Sequence, residues 1–325
     1  MPLRSKFRAA CAAWDMTWAV WRNTGRVPDS HRFMVLIEPT SICNLACPLC
    51  PTGTGTLERK NKFIPLEMFD KILSLTEPAA EGYILNLFGE PTFHPHFPEL
   101  LQKTSRLPTW LSTNLNIPEA SALEMGKWRH LRVICSVDTI HPAEYPRYRI
   151  RGNWDTLIRN LAVLSQGVCE VHPQFLVPAD HKDDTPYIEF AERFGIPARN
   201  VVIKRKMENF RLDHTDKPRP GKCHSAYLGL YFNCDGFLLP CCNNARSDLH
   251  MLHIDDVSSL DELLHHNRTE RMRRQLAKDK NVYPSCGDCD GINFWSHQFP
   301  LYRRSLLNIL TGGKKGSDTP DHMSF

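Results

Sequence analysis

Between residues 33 and 205 short apolar runs alternate with amphipathic stretches. The runs Phe33 to Ile37, Tyr83 to Phe88, Thr109 to Ser112, Leu131 to Val137, Cys169 to Val177 and Val201 to Lys204 have the length and apolar character of strands. Between them, helix-forming stretches run from Pro65 to about Ser74, from His96 to Lys103, from Pro118 to Met125, from Trp154 to Leu164 and from Thr185 to Phe194. Strands alternating with helices through mostly short loops indicate parallel βα units, so the chain is expected to be α/β. Six units are too few to close an eight-stranded barrel. Polar residues and glycine gather at the C-terminal ends of the strands, where β/α architectures carry their sites.

The flanks follow other rules. Phe7, Ala10, Cys11, Trp14, Trp18 and Trp21 recur at spacings of three and four, which predicts an amphipathic helix over residues 4–22 docked by that face on the body of the protein rather than on a membrane. Arg211 to Gly221 is polar and carries prolines, as a linker or covering loop does. Tyr227 to Asn233 and Phe237 to Leu239 flank Asp235-Gly236, a hairpin signal. Helices are expected near Ser259 to His265 and Arg268 to Ala277, and a last one from about Phe299 to Leu310, before a tail with no core-forming pattern. The expected units are an N-terminal helix (1–29), a barrel (30–210), a small C-terminal domain (211–295) and a helix with its tail (296–325).

Composition narrows the function classes. The chain has 325 residues, a net charge of +4 and 23% charged residues, with its lysines and arginines scattered apart from short clusters. That is no footprint for nucleic acid. There is no run of 18 apolar residues and no clear secretory signal, so a cytoplasmic location is expected. Twelve cysteines in a reducing compartment point to metal binding rather than to disulfides.

Cys43, Cys47 and Cys50 are spaced CxxxCxxC directly after the first strand, on a loop able to wrap a metal cluster. Three soft thiolates suit zinc, iron–sulfur or copper, and no fourth protein ligand is evident nearby. The motif resembles that of the radical S-adenosylmethionine superfamily, in which three cysteines hold a [4Fe-4S] cluster whose open iron binds S-adenosylmethionine. The resemblance implies an open (β/α)6 partial TIM barrel. It also implies hydrogen abstraction by a 5'-deoxyadenosyl radical and a flavodoxin or ferredoxin-like electron donor.

By the same resemblance, Gly89-Glu90-Pro91 after the second strand receives the amino group of the co-substrate, glycine allowing close approach and glutamate able to pair with an ammonium. Placement after later strands makes Ser112, Asn114, Ser136 and Asp138 candidates for its ribose or carboxylate. Arg149 is placed like the arginine that faces the carboxylate, with Arg151 and Arg147 as alternatives. Gln174 points into the barrel if the fifth strand alternates, and His94 and His96 could approach substrate. A second group, Cys223, Cys241, Cys286 and Cys289, resembles the auxiliary-cluster extensions called SPASM and twitch domains, the twitch form fitting better. Cys242 competes with Cys241 for one position, Cys234 reads as a buried hydrophobe, and a zinc site with four thiolates is the chemical alternative.

The resemblance thus implies two [4Fe-4S] clusters and S-adenosylmethionine in an oxidoreductase that acts on a secondary alcohol of a sugar-like or aminocyclitol molecule. A peptide or natural-product maturase is the alternative, and a non-enzymatic metal-bearing interaction protein a further one. Epimerisation would need a hydrogen donor, for which Cys135, Cys169, Cys234 and Cys242 are candidates.

Overall fold

The computed structural model describes residues 3–59, 61–178, 180–205, 221–244, 248–287, 289 and 291–292. Helix α1 (Leu3–Arg22) leads to β1 (Phe33–Ile37), α2 (Leu66–Thr76), β2 (Ala80–Ile84), α3 (Phe97–Lys103), β3 (Thr109–Thr113), α4 (Glu119–Gly126) and β4 (Leu131–Asp138). The short α5 (Tyr145–Tyr148), α6 (Trp154–Ser165), β5 (Glu170–Val177), α7 (Thr185–Glu192) and β6 (Val202–Arg205) complete the alternation. Then come α8 (Ser225–Leu228), β7 (Gly229–Phe232), β8 (Phe237–Leu239), β9 (Leu252–His253), α9 (Leu260–His265) and α10 (Asn267–Lys278). The expected linker up to residue 220, the helix over 299–310 and the tail lie outside the described residues.

One sheet runs through the molecule in the order β6-β5-β4-β3-β2-β1-β7-β8-β9. Strands β1 to β6 are parallel, as the alternation requires. β7 adds to the free edge of β1 in parallel, pairing Leu36 with Tyr231, and β8 and β9 follow antiparallel. The C-terminal hairpin therefore extends the barrel's own sheet. Each strand divides its side chains by parity. Val35, Ile37, Tyr83, Leu111, Val133, Cys135, Val137, Val171 and Phe175 turn outward into the main core. The inward set includes Leu36, Ile84, Tyr231 and Leu239, with Met34 and Trp110 against them. Register extends that inner face to Ser112, Ile134, Ser136, His172, Gln174 and Val202.

Two expectations change. The second strand begins at Ala80 rather than Tyr83, because Phe33 and Met34 pair with Ala80 and Gly82 whatever Glu81 and Gly82 suggest about propensity. The Leu85 amide still donates to the Trp110 carbonyl at 2.8 Å, and beyond it the Phe88 amide donates to Glu38. Helix α1 docks by the face opposite to the one expected: Met16 and Val20 are buried, whereas Trp14, Trp18 and Trp21 are exposed.

Candidate functional site

The loop after β1 is held at both ends by its own polar residues. The Thr40 hydroxyl donates to the Lys62 carbonyl at 2.8 Å, and the Ser41 amide donates to the same oxygen at 3.0 Å. Glu38, fully buried, takes Arg59 Nε at 2.6 Å and Nη2 at 3.0 Å, and also accepts the amides of Phe88 and Cys234. One carboxylate thus joins the end of β1, the far side of the cysteine loop, the β2 exit and the β7 exit. The Arg59 guanidinium lies 5.2 Å from the Phe88 ring. The sequence pattern carries no mark of this pair beyond a charged residue at a strand end.

Within the loop, the Leu45 amide lies 3.5 Å and Asn114 Nδ2 3.7 Å from Cys43 Sγ, and Arg149 Nη1 lies 3.6 Å from Cys47 Sγ. Burial, with smaller contributions from Glu90, Cys50 and Cys47, pushes the Cys43 thiol up to about 12. Burial also raises Cys47, and Arg149 opposes it. Among the described residues no three such side chains close round one ion-sized point. The donor set, three crowded thiols with a cation and amides aimed at their sulfurs, fits an iron–sulfur cluster whose charge those donors would offset.

Gly89 has φ +82°, and a Cβ there would meet the Thr40 carbonyl oxygen at 2.2 Å, so only glycine lets the second loop lie against the first. The Glu90 amide then donates to the Ile42 carbonyl at 2.7 Å. The Glu90 carboxylate accepts the Thr92 hydroxyl at 3.1 Å and the Asn114 amide at 2.8 Å. Burial pushes its pKa up against those bonds. It fastens the ends of β2 and β3 together. Pro91, also buried, opens the single turn that follows.

Asn114 Nδ2 donates to Asn44 Oδ1 at 3.0 Å, tying the β3 exit to the cysteine loop. At the β4 exit a register shift after Ser136 turns Asp138 to φ +65°, an uncommon conformation for a side-chain-bearing residue. Its Oδ2 accepts Arg149 Nε, while Oδ1 is buried with no partner, a polar atom left for a ligand at this spot. Burial works to lower the Arg149 pKa, but Asp138 outweighs it and holds the guanidinium charged. Arg147 and Arg151 are exposed, the latter at φ +71°. Ser112, Ser136 and Gln174 lie on the inner face below these loops. Of the histidines, His94 lies 2.9 Å from the Ile64 carbonyl, and His96 is exposed.

The cysteines named as hydrogen donors scatter. Cys135 sits in the outer core, and Cys169, just before β5, packs against the same core from the opposite end of the strands to the cysteine loop. Cys234 lies at the β7 exit beside Glu38. Cys242 packs with the inner-face residues Leu36, Ile84 and Tyr231.

Cys223 precedes α8 and β7, and Cys241 follows β8, so both lie at the end of the sheet opposite to the Cys43 loop. Burial raises the thiol of Cys241, with Cys242, Cys223 and Cys286 adding to it. Cys286 is pushed up to about 12 by burial, with Cys223 and Cys289 adding to it. The four thiols are thus electrostatic neighbours. The buried Lys280 ammonium donates to the carbonyls of Cys286 at 2.8 Å and Gly287 at 3.4 Å, and holds the knuckle shut.

Residues 223–290 match the SPASM family, an iron–sulfur cluster-binding domain, which favours a cluster over zinc at this quartet. No curated protein sequence matches the chain. Among solved structures it is similar to Streptococcus suis SuiB bound to precursor peptide SuiA, with TM-score 0.61 at 13% identity over 78% of this chain and 69% of that one. It is similar to anSMEcpe with bound AdoMet, with TM-score 0.55 at 13% identity over 86% and 95% of the two chains. For BtrN in complex with AdoMet and 2-DOIA the values are 0.50, 14%, 81% and 95%. At such identities the shared property is the fold.

Proposed function

We propose that this chain, with its Cys43 loop and a SPASM match over residues 223–290, is a radical S-adenosylmethionine oxidoreductase acting on a secondary alcohol of a small sugar-like or aminocyclitol substrate. The observation that carries this is the placing of two cysteine groups at opposite ends of one sheet. Cys43, Cys47 and Cys50 follow the C-terminal end of β1, and Cys223 and Cys241 flank the other end of β7 and β8. The first trio would hold one [4Fe-4S] cluster, and Cys223, Cys241, Cys286 and Cys289 the other. When bound, the first supplies the electron that starts radical formation from S-adenosylmethionine, and the second accepts the electron left on the oxidised substrate.

The chain's own residues position and shield. Gly89 lets the second loop lie against the cysteine loop, and the Asn114 and Asp138 exits would flank the co-substrate. Arg149, kept charged by Asp138, offers a cation to its carboxylate while donating toward Cys47. Ser112, Ser136, His172 and Gln174 supply polar groups on the inner face beside Ile84, Trp110 and Ile134, a mixed lining suited to a small hydroxylated molecule. A solved complex of similar fold holds AdoMet and 2-DOIA, which supports a small-molecule substrate.

One observation favours a second class. The similarity to SuiB with its precursor peptide has the higher TM-score, 0.61 against 0.50, so a peptide maturase is the rival. Its hydrogen donor would be Cys242, which stands on the inner face. The test is anaerobic reconstitution, reduction by a flavodoxin or ferredoxin-type donor with S-adenosylmethionine, and mass spectrometry with aminocyclitols and peptides in heavy water. Formation of 5'-deoxyadenosine with loss of two hydrogens from an aminocyclitol supports oxidation. Deuterium uptake by a peptide supports the rival, and absence of 5'-deoxyadenosine overturns both.

A further inference from the structure

Helix α1 turns three tryptophans to solvent. Trp14 is 66% exposed, Trp18 49% and Trp21 63%, on the side opposite to the buried Met16 and Val20. The spacing 14, 18, 21 sets them on one stripe. Trp18 and Trp21 stack with ring centroids 5.0 Å apart, and the Arg22 guanidinium lies 5.6 Å from the Trp18 ring. A contiguous aromatic patch of this kind marks an interaction surface.

Charge identifies its partner. Arg22, at the end of the stripe, is exposed, and the Asp15 carboxylate accepts the Ser30 hydroxyl at 2.9 Å. Where the stripe ends, a hollow of about 330 Å³ is bordered by Trp21, Asn23, Lys222, His224 and Lys278, with both lysines exposed. Indoles favour the boundary between water and acyl chains, and lysine and arginine beside them favour phosphate headgroups. None of the described helices is long and apolar enough to cross a membrane, so the surface would lie on one.

We propose that the outer face of α1 is a docking surface for an anionic phospholipid membrane, with Trp14, Trp18 and Trp21 entering the interface and Arg22, Lys222 and Lys278 meeting the headgroup phosphates. Nothing in this depends on which substrate the barrel takes. The test uses the full chain with its clusters, mixed with vesicles of phosphatidylcholine alone or with two-fifths phosphatidylglycerol. Cosedimentation should be at least tenfold stronger on the anionic vesicles at low salt, with tryptophan emission moving to the blue. Trp14→Ser/Trp18→Ser/Trp21→Ser should lose that binding at least tenfold at unchanged iron content and far-ultraviolet spectrum, and Arg22→Gln/Lys278→Gln should weaken it severalfold. Equal or absent binding to both vesicles overturns the proposal, as does a triple variant that binds like the parent. A lipid-free dimer that the triple variant abolishes also overturns it, because the stripe is then a contact between copies.

Discussion

Single residues carry most of the site's constraints. Gly89→Ala places a Cβ against the Thr40 carbonyl oxygen at a positive φ, so the two loops must part. We expect a loss of about 1 kcal/mol or more in denaturant unfolding, with weakened retention of S-adenosylmethionine by equilibrium dialysis. Arg149→Met leaves the Asp138 carboxylate buried and unpaired, a change of the kind that costs roughly 3–5 kcal/mol; Arg149→Lys, a charge without the planar fork, should recover part of it. His31 sets a pH dependence. Burial, with Arg273 and Arg32 adding to it, lowers its pKa to about 4, so the folded protein resists a proton that the unfolded chain takes up near 6.5. Stability from this residue is therefore present above pH 6.5 and lost as pH falls toward 4. Between pH 7 and pH 5 the parent should lose about 2 kcal/mol more than His31→Phe, measured by urea unfolding at both values.

At the scale of elements, the joint among β1, the cysteine loop and β7 depends on Glu38. Arg59→Met strands its carboxylate in a fully buried place. The expected loss is again roughly 3–5 kcal/mol, and the cysteine loop should become the first segment to lose amide protection in hydrogen exchange. Glu38→Gln/Arg59→Met should cost less than Arg59→Met alone, because no buried charge is left. This joint was hidden in the sequence: Glu38 and Arg59 are 21 positions apart, and Cys234 is 196 away. By contrast the βα alternation was legible, since each strand's apolar run and each helix's spacing are local.

Among the described residues one sheet of nine strands carries a cysteine group at each end. If both groups hold [4Fe-4S] clusters, iron analysis should give about eight irons per chain, falling by about half in Cys286→Ala/Cys289→Ala while the Cys43 loop keeps its own. Retention of all the iron in that variant would remove the quartet from the site. The C-terminal hairpin joins the sheet through the pairing of β7 with β1. No periodicity in residues 229–232 announces that pairing, since an edge is chosen by what the rest of the sheet leaves open.

By itself the sequence determined the α/β class, the loop of Cys43, Cys47 and Cys50, the Gly89 turn and the second cysteine group, because each depends on short-range spacing or on a backbone angle that one residue type supplies. Tertiary structure decided which face of each strand turns inward, and it set Cys242 among the inner-face residues and Cys135 in the outer core. It also decided that Glu90 fastens two strand ends and that the tryptophans of α1 point outward. Those outcomes depend on partners far away in the chain, and burial and hydrogen bonding between distant segments are not written in any local pattern.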